Sequence, residues 1–319
     1  MTSTSSIGVM LPRDLPAHQV LNFARTAENV GFDELWVVED LGFRGGFSQA
    51  AAVLASTERI GVGIGILPAA SRNLAFAAME IATLGQLFPR RVEVGIGHGM
   101  PGWMRQAGCW PERPLTFLSQ YTEGVRALLA GGVLDGMVAG TRLEDVRLAP
   151  SSLPQVVPPL LLGVRGPRSL AASGQVADGT VLAEPVTPEY VVAAREQIAA
   201  QGAHRVVAYN LAAVHQDPNV AIATARPGLE WIGEPDWAPH LEPLPFAAEF
   251  AALRADCATR QEFVERLPSH WVQQLALAGT PDQVRARIDD LAAAGVTSNV
   301  LIPAGPDALA ALKQLSTVL

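Results

Sequence analysis

The chain has 319 residues, 49% of them hydrophobic, a formal charge of −8 and only two cysteines. That acidic balance disfavours a nucleic-acid or anionic-membrane surface, and no stretch of about 18 residues is free of polar or breaking residues, so no membrane span is expected. Cys109 and Cys257 have neither metal-ligand spacing nor the look of a disulfide framework; with a polar start at Met1–Ser6, expected to be frayed, this points to the cytoplasm.

Eight short runs rich in β-branched residues alternate with amphipathic helical stretches. The first, Ile7–Leu11, precedes a helix whose Val20, Phe23, Ala24, Ala27 and Val30 share one face at 3.6-residue spacing. The second, Glu34–Glu39, ends in two adjacent carboxylates, Glu39 and Asp40. The third, Ile60–Ile66, carries Gly61, Gly63 and Gly65. Glycines inside a strand cost stability, so they mark either close approach of main chain to something flat or tight barrel packing. Ser71-Arg72-Asn73 opens the next helix, with Leu74, Ala77, Ala78, Ile81 and Leu84 on its buried face.

The fourth run, Arg91–Gly97, ends Gly95-Ile96-Gly97-His98-Gly99. Its spacing is GxGxG with no helix directly behind it, which excludes a dinucleotide fingerprint. Phe117, Tyr121, Val125 and Leu128 mark the helix that follows. The fifth run, Pro159–Gly163, leads into Val164-Arg165-Gly166-Pro167-Arg168-Ser169, and the sixth and seventh are Gly179–Ala183 and His204–Val214. Before the eighth, Asn299–Ile302, Thr280-Pro281-Asp282-Gln283 reads as a helix start with a capping box and proline at N1.

Parallel strands need crossover helices to return to the same edge, so eight such units close into an α/β (β/α)8 TIM barrel. One domain is expected over residues 1–319. Residues 216–278, rich in Pro and Trp, are too long for one crossover and read as an insertion between strand 7 and its following helix, serving as a lid or part of a dimer surface.

Barrel chemistry sits at the C-terminal ends of the strands. There Glu39 or Asp40 can bind a ligand or move a proton. Since neighbouring strand residues point oppositely, one of them is expected to face the site; the alternative is a helix cap or a pair with Arg44. His98 is the titrating group in the same region, or else a backbone hydrogen-bonder. In Gly163–Pro167, a glycine permits close approach and proline at N1 starts a helix with free N–H groups. That makes a phosphate site, with Arg165 and Arg168 adding charge, or a well-capped turn with surface arginines. No nucleophile elbow, Walker loop or zinc-binding spacing is present.

At these residues the chain resembles the luciferase-like monooxygenase superfamily, and within it the branch using the deazaflavin coenzyme F420, including methylenetetrahydromethanopterin reductases. The resemblance runs through Ala27–Asp40, Phe43–Gly46, Thr57–Ile60, Gly65–Asn73, Gly95–Gly99, Gly163–Pro167, Ala177–Gly179 and Gly279–Pro281. It implies a non-proline cis peptide at Gly65–Ile66, forming a bulge with Leu67 that backs the coenzyme ring beside Gly97 and His98. It further implies that Gly163, Val164, Arg165, Gly166 and Pro167 surround the coenzyme phosphate, and that Glu39 and Asp40 lie near the ring's polar edge. The chain departs from the sugar-phosphate dehydrogenases of the superfamily: Met100 stands in place of their catalytic glutamate and Asp40 in place of their histidine. Asn73, where the reductase branch commonly has histidine, leaves the substrate open.

The resemblance thus implies an oxidoreductase moving a hydride between F420 and a small organic substrate, with His98, Glu39 or Asp40 handling the proton. The same fold with FMN would be a monooxygenase fed by a partner flavin reductase, and a barrel that only binds a flavin or deazaflavin is the third reading. No metal is expected. A homodimer is implied by the resemblance, and Trp103 and Trp110 in Met100–Pro114 suit an apolar or aromatic substrate.

Overall fold

The computed structural model describes residues 5–319. In chain order its strands are β1 (Ser6–Met10), β2 (Glu34–Val37), β3 (Gly61–Pro68), β4 (Val92–Gly97), β5 (Leu134–Val138), β6 (Thr141–Val146), β7 (Leu160–Gly163), β8 (Gly179–Leu182), β9 (Arg205–Val214), β10 (Leu277–Gly279) and β11 (Ser298–Pro303). The parallel ladder β1-β2-β3-β4-β7-β8-β9-β11 returns to β1 and closes an eight-stranded barrel. All eight predicted runs are barrel strands. Two elements escaped the sequence: the antiparallel hairpin β5–β6 outside the barrel, and β10, which pairs only with Ala212–Val214 of β9. Met1–Thr4 lie outside the described residues. The expectation of a frayed start fails at Ser6, which opens β1, donates its N–H to Thr297 and binds Glu34 through its hydroxyl.

The helices are α1 (Val20–Val30), α2 (Gly46–Ser56), α3 (Leu74–Leu87), α4 (Pro101–Gln106), α5 (Pro114–Leu129), α6 (Pro167–Val176) and α7 (Pro188–Ile198). After β9 come α8 (Pro218–Ala225), α9 (Ala238–Leu241), α10 (Ala247–Ala255), α11 (Arg260–Arg266) and α12 (Ser269–Leu275), then α13 (Pro281–Ala294) and α14 (Ala308–Leu315). The caps follow the sequence. Asn73 accepts the Ala75 N–H, Thr280 and Gln283 form a capping box, and Gly295 ends α13 in the left-handed conformation at φ 116°. No helix among the described residues is long and apolar enough to cross a membrane. The α8–α12 segment has its own apolar cluster, including Leu229, Phe250, Phe263, Trp271 and Leu275.

Inside the barrel, Trp36, Leu161, Val181, Val207, Tyr209 and Val300 form the packed core. The β3 glycines make room for it. A Cβ added at Gly63 would fall within the Trp36 indole, and one at Gly65 would collide with the Tyr209 hydroxyl. Tight packing therefore accounts for Gly63 without any ligand.

The N-terminal end of the barrel is closed by charge. Glu34 accepts hydrogen bonds from Ser6 (2.7 Å), Ser298 (2.7 Å) and the Trp36 indole (2.8 Å), and it pairs with Arg205. Arg205 also reaches Glu93 at 2.7 Å. Burial opposes ionisation of both carboxyls. For Glu34, Arg205 and the three donors outweigh burial and hold its pKa below the ordinary range. For Glu93, burial and repulsion by Glu34 exceed the help of the shared Arg205, and its pKa is pushed up to about 7.

Candidate active site

At the opposite end the strands finish in a rim of half-exposed residues: Met10, Gly65, Ile66, His98, Gly163, Ala183, Ile302 and their neighbours. Met10, Ile66 and Ile302 rest on the buried interior cluster and present apolar surface upward. The Gly65–Ile66 peptide is cis, and the β3–β4 register shifts between Ile64 and Leu67. The resulting bulge turns Ile66 inward across the neighbouring strands. Added Cβ atoms would meet its side chain at 3.1 Å from Gly95 and 2.8 Å from Gly97, and would overlap it at Gly163. Glycine on β4 and β7 is thus what admits Ile66. Beneath the bulge the Tyr209 hydroxyl is buried without a hydrogen-bond partner among the described residues.

Beside this platform α6 begins at Pro167. Gly166 precedes it at φ 79° and ψ 151°, a conformation open essentially to glycine alone, and nothing lies within 4 Å of where its Cβ would be. No side chain among the described residues caps this helix, so its first N–H groups stay available to an anion. Of the two arginines the sequence offers, Arg165 keeps its charge at this rim and Arg168 does not face it. Arg165 donates to the Asp236 carbonyl oxygen at 3.1 Å and stacks 5.0 Å from the Trp237 ring centroid. Arg168 lines a groove of about 450 Å³ between α5 and α6, outside the barrel mouth.

Glu39 and Asp40 lie past the end of β2, which stops at Val37 rather than Glu39. Glu39 accepts the Gly46 N–H at 2.6 Å, capping α2, and pairs with Arg72 at 2.8 Å. Its ionic partner is Arg72, not Arg44, because Arg44 is turned to the carbonyl oxygens of Arg13 and Leu15. Asp40 pairs with Arg13 at 2.6 Å and is the more exposed of the two carboxylates. His98 makes no side-chain hydrogen bond among the described residues, and burial pushes its pKa below the ordinary histidine value. It is therefore neutral near pH 7. Leu67 is buried and packs toward Gly46 of α2, and Val164 likewise belongs to the core between strands and helices, so neither side chain enters the mouth. No cluster of His, Cys, Asp or Glu among the described residues could hold a metal.

The sequence reading missed Glu184, which follows β8 at the same rim. The criterion that singled out Glu39, a carboxylate just past a strand's C-terminal end, applies to it equally.

A model of the luciferase-like monooxygenase family matches residues 2–298. The chain belongs to that family. Among its luciferase-like relatives, 5,10-methylenetetrahydromethanopterin reductase of Methanolobus tindarius is 26% identical over 328 residues, covering 95% of each chain. The coenzyme F420-dependent tetrahydromethanopterin reductase of Methanopyrus kandleri has the same fold, with a TM-score of 0.81 at 22% identity over 98% of this chain and 97% of that one. So does the oxygenating constituent of 3,6-diketocamphane monooxygenase from Pseudomonas putida, solved with FMN: TM-score 0.76, 15% identity, 99% and 97% covered. A flat coenzyme with an anionic tail suits the residues present in this luciferase-like chain. The apolar platform and the open α6 N-terminus supply a surface for the ring and an anchor for the tail.

Proposed function

We propose that this luciferase-like chain is an oxidoreductase that uses F420 for hydride transfer to or from a small organic substrate. The observation that carries the reading is the half-exposed platform of Met10, Ile66 and Ile302 beside an uncapped helix N-terminus. The fold match to an F420-dependent reductase supports it. Bound F420 would supply or accept the hydride at a ring carbon. The chain's own tasks are then geometric: to support one ring face, fix the tail and keep water out.

Main chain at Gly65–Ile66 and the side chains of Met10 and Ile302 would back the ring, with Gly97 and His98 at its flank. The N–H groups of Arg168 and Ser169, reached past Gly166, would hold the phosphate; Pro167 has none to give. His98, neutral and uncommitted, can donate or accept a proton-bearing hydrogen bond at the substrate. Asp40 is the other proton-handling candidate, since Glu39 is engaged by Arg72 and Gly46. Residues 216–278 form a helical insertion within a single domain, and its Trp237 covers Arg165 at the rim in the manner of a lid.

The FMN-bound relative of the same fold favours a second reading, an FMN monooxygenase supplied by a flavin reductase. Anaerobic oxidation of reduced F420 across a panel of small carbonyl and imine compounds separates the two. Turnover without oxygen is the expected outcome. Oxygen consumption with reduced FMN and none with F420 would replace this reading by the second, and inactivity with both would leave a binding barrel.

Two free cysteines, one of them buried, suit the cytoplasm. A homodimer is supported by α3, where Phe76 and Leu87 are each 65% exposed and share one helix face with the exposed Met79. Light scattering of the double variant Phe76→Glu and Leu87→Glu should give half the wild-type mass. An unchanged mass would remove this face from the interface.

A further inference from the structure

Glu184 stands where the chain leaves β8, and its peptide is fixed from three sides. The Trp237 indole donates to the Glu184 carbonyl oxygen at 3.1 Å. His240 lies 3.1 Å through Nδ1 from the carbonyl oxygen of Pro185. Asn210 of β9 accepts the Val186 N–H at 2.9 Å and donates to the Val186 carbonyl oxygen at 3.0 Å. His240 is itself fully buried and stacked on Tyr190, with ring centroids 4.3 Å apart. Burial holds it neutral, its pKa pushed down to about 3, so Nδ1–H is the donor to Pro185. Trp237 is in turn covered by Arg165. Three separate elements therefore converge to hold one short loop.

The carboxyl carried by this framework is engaged by the residue's own amide and by no ion partner among the described residues. No basic side chain among the described residues lies within 4 Å of it, unlike Glu34, Glu39, Glu93 and Asp40. The groups that influence it are Arg165 from the β7–α6 loop and Asp40 and Arg13 from the loops after β2 and β1, across the mouth. Tyr209 of β9 lies below and His240 of α9 lies behind. Burial is the largest influence and raises the pKa; the residue's own amide, Arg165 and Arg13 oppose it, and Asp40 adds to it. The net shift is upward.

We infer that Glu184 is the substrate-facing acid of this site, placed to hydrogen-bond the oxygen or nitrogen of a carbonyl or imine carbon. The inference rests on the redox reading above and adds the substrate class. When hydride from a reduced deazaflavin reaches such a carbon, a C–H bond forms and the C=O or C=N π bond breaks. The deazaflavin is oxidised, and the electron pair left on the heteroatom takes the Glu184 proton. The carboxylate then regains a proton from water. A carboxylate already charged would repel the developing anion, so the neutral form is the useful one.

The test begins without coenzyme. The infrared difference between wild type and Glu184→Gln at pH 7 should contain a protonated-carboxyl C=O band. With reduced F420, Glu184→Gln should lower kcat/KM about 100-fold and remove the alkaline limb of the wild-type pH profile. F420 affinity, read by coenzyme fluorescence, should stay within about twofold, because the residue faces substrate. Glu184→Asp, which keeps the acid but withdraws it, should restore the band and part of the rate. A missing band, or wild-type kcat/KM and pH profile in Glu184→Gln, overturns the role of Glu184. Failure of the wild type to bind or turn over F420 overturns instead the redox reading on which it rests.

Discussion

The two ends of the barrel treat charge in opposite ways. At the N-terminal end, Glu34, Glu93, Arg205, Ser6, Ser298 and the Trp36 indole are joined in one network. At the C-terminal end, His98 and Glu184 are left without a side-chain partner, above an apolar platform and beside an uncapped helix. The strands bring charged and hydroxyl residues to the first end and mainly glycine and apolar residues to the second, yet residue type alone does not tell a fixed carboxyl from an open one. Connectivity does. A network closed on itself contributes stability, whereas groups held rigidly by their backbone but not by their side chains are free to meet a ligand.

The largest effect should come from breaking the closed end. Glu34→Ala leaves Arg205 with Glu93 alone and strands three hydrogen-bond donors. It should cost about 3–5 kcal/mol in a denaturant titration while leaving coenzyme affinity unchanged in the folded protein. A loss confined to coenzyme binding would contradict the division between the ends.

A smaller effect at the same end depends on pH. The folded pKa of Glu93 is raised to about 7, above its unfolded value. Its contribution is therefore fully present below about pH 4.5 and is lost as pH rises through about 7. Glu93→Gln should abolish that decline and be about 1–3 kcal/mol more stable than wild type at pH 8.5. Parallel stability curves for the two proteins would show that Glu93 titrates alike in the folded and unfolded chain.

The smallest stability change, at the open end, sharpens the contrast by separating the signs of two effects. Ser169→Asp puts a negative charge in the first turn of α6, which should stabilise the fold by about 0.3–1 kcal/mol. The same charge would face the coenzyme phosphate and should weaken F420 binding about tenfold. Equal affinity in the variant would place the phosphate elsewhere.

The barrel was legible in the sequence because each strand is a short apolar run bounded by turn residues, and because Asn73, Thr280 and Gln283 mark helix starts chemically. The bulge came through the resemblance at Gly65–Asn73 rather than through periodicity, and the glycines opposite it make sense only with Ile66 in place. The hairpin stayed hidden because Leu134–Val138 and Thr141–Val146 are short, mixed in polarity and without an N-G or D-G turn. In the sequence Glu39 reads as a mouth residue because its partner Arg72 lies 33 residues away. Glu184 stays hidden in the sequence for the converse reason. Before proline it resembles loop punctuation, and the residues that fix it, Asn210, Trp237 and His240, come together only in the folded chain.

The central claim is that the open rim is a deazaflavin site, and a fluorescence titration of the purified protein with F420, run beside one with FMN, tests it most directly. One F420 per chain, with FMN binding much weaker and Ser169→Asp weakening F420, is the predicted result. Saturable FMN binding with no response to F420 would contradict it.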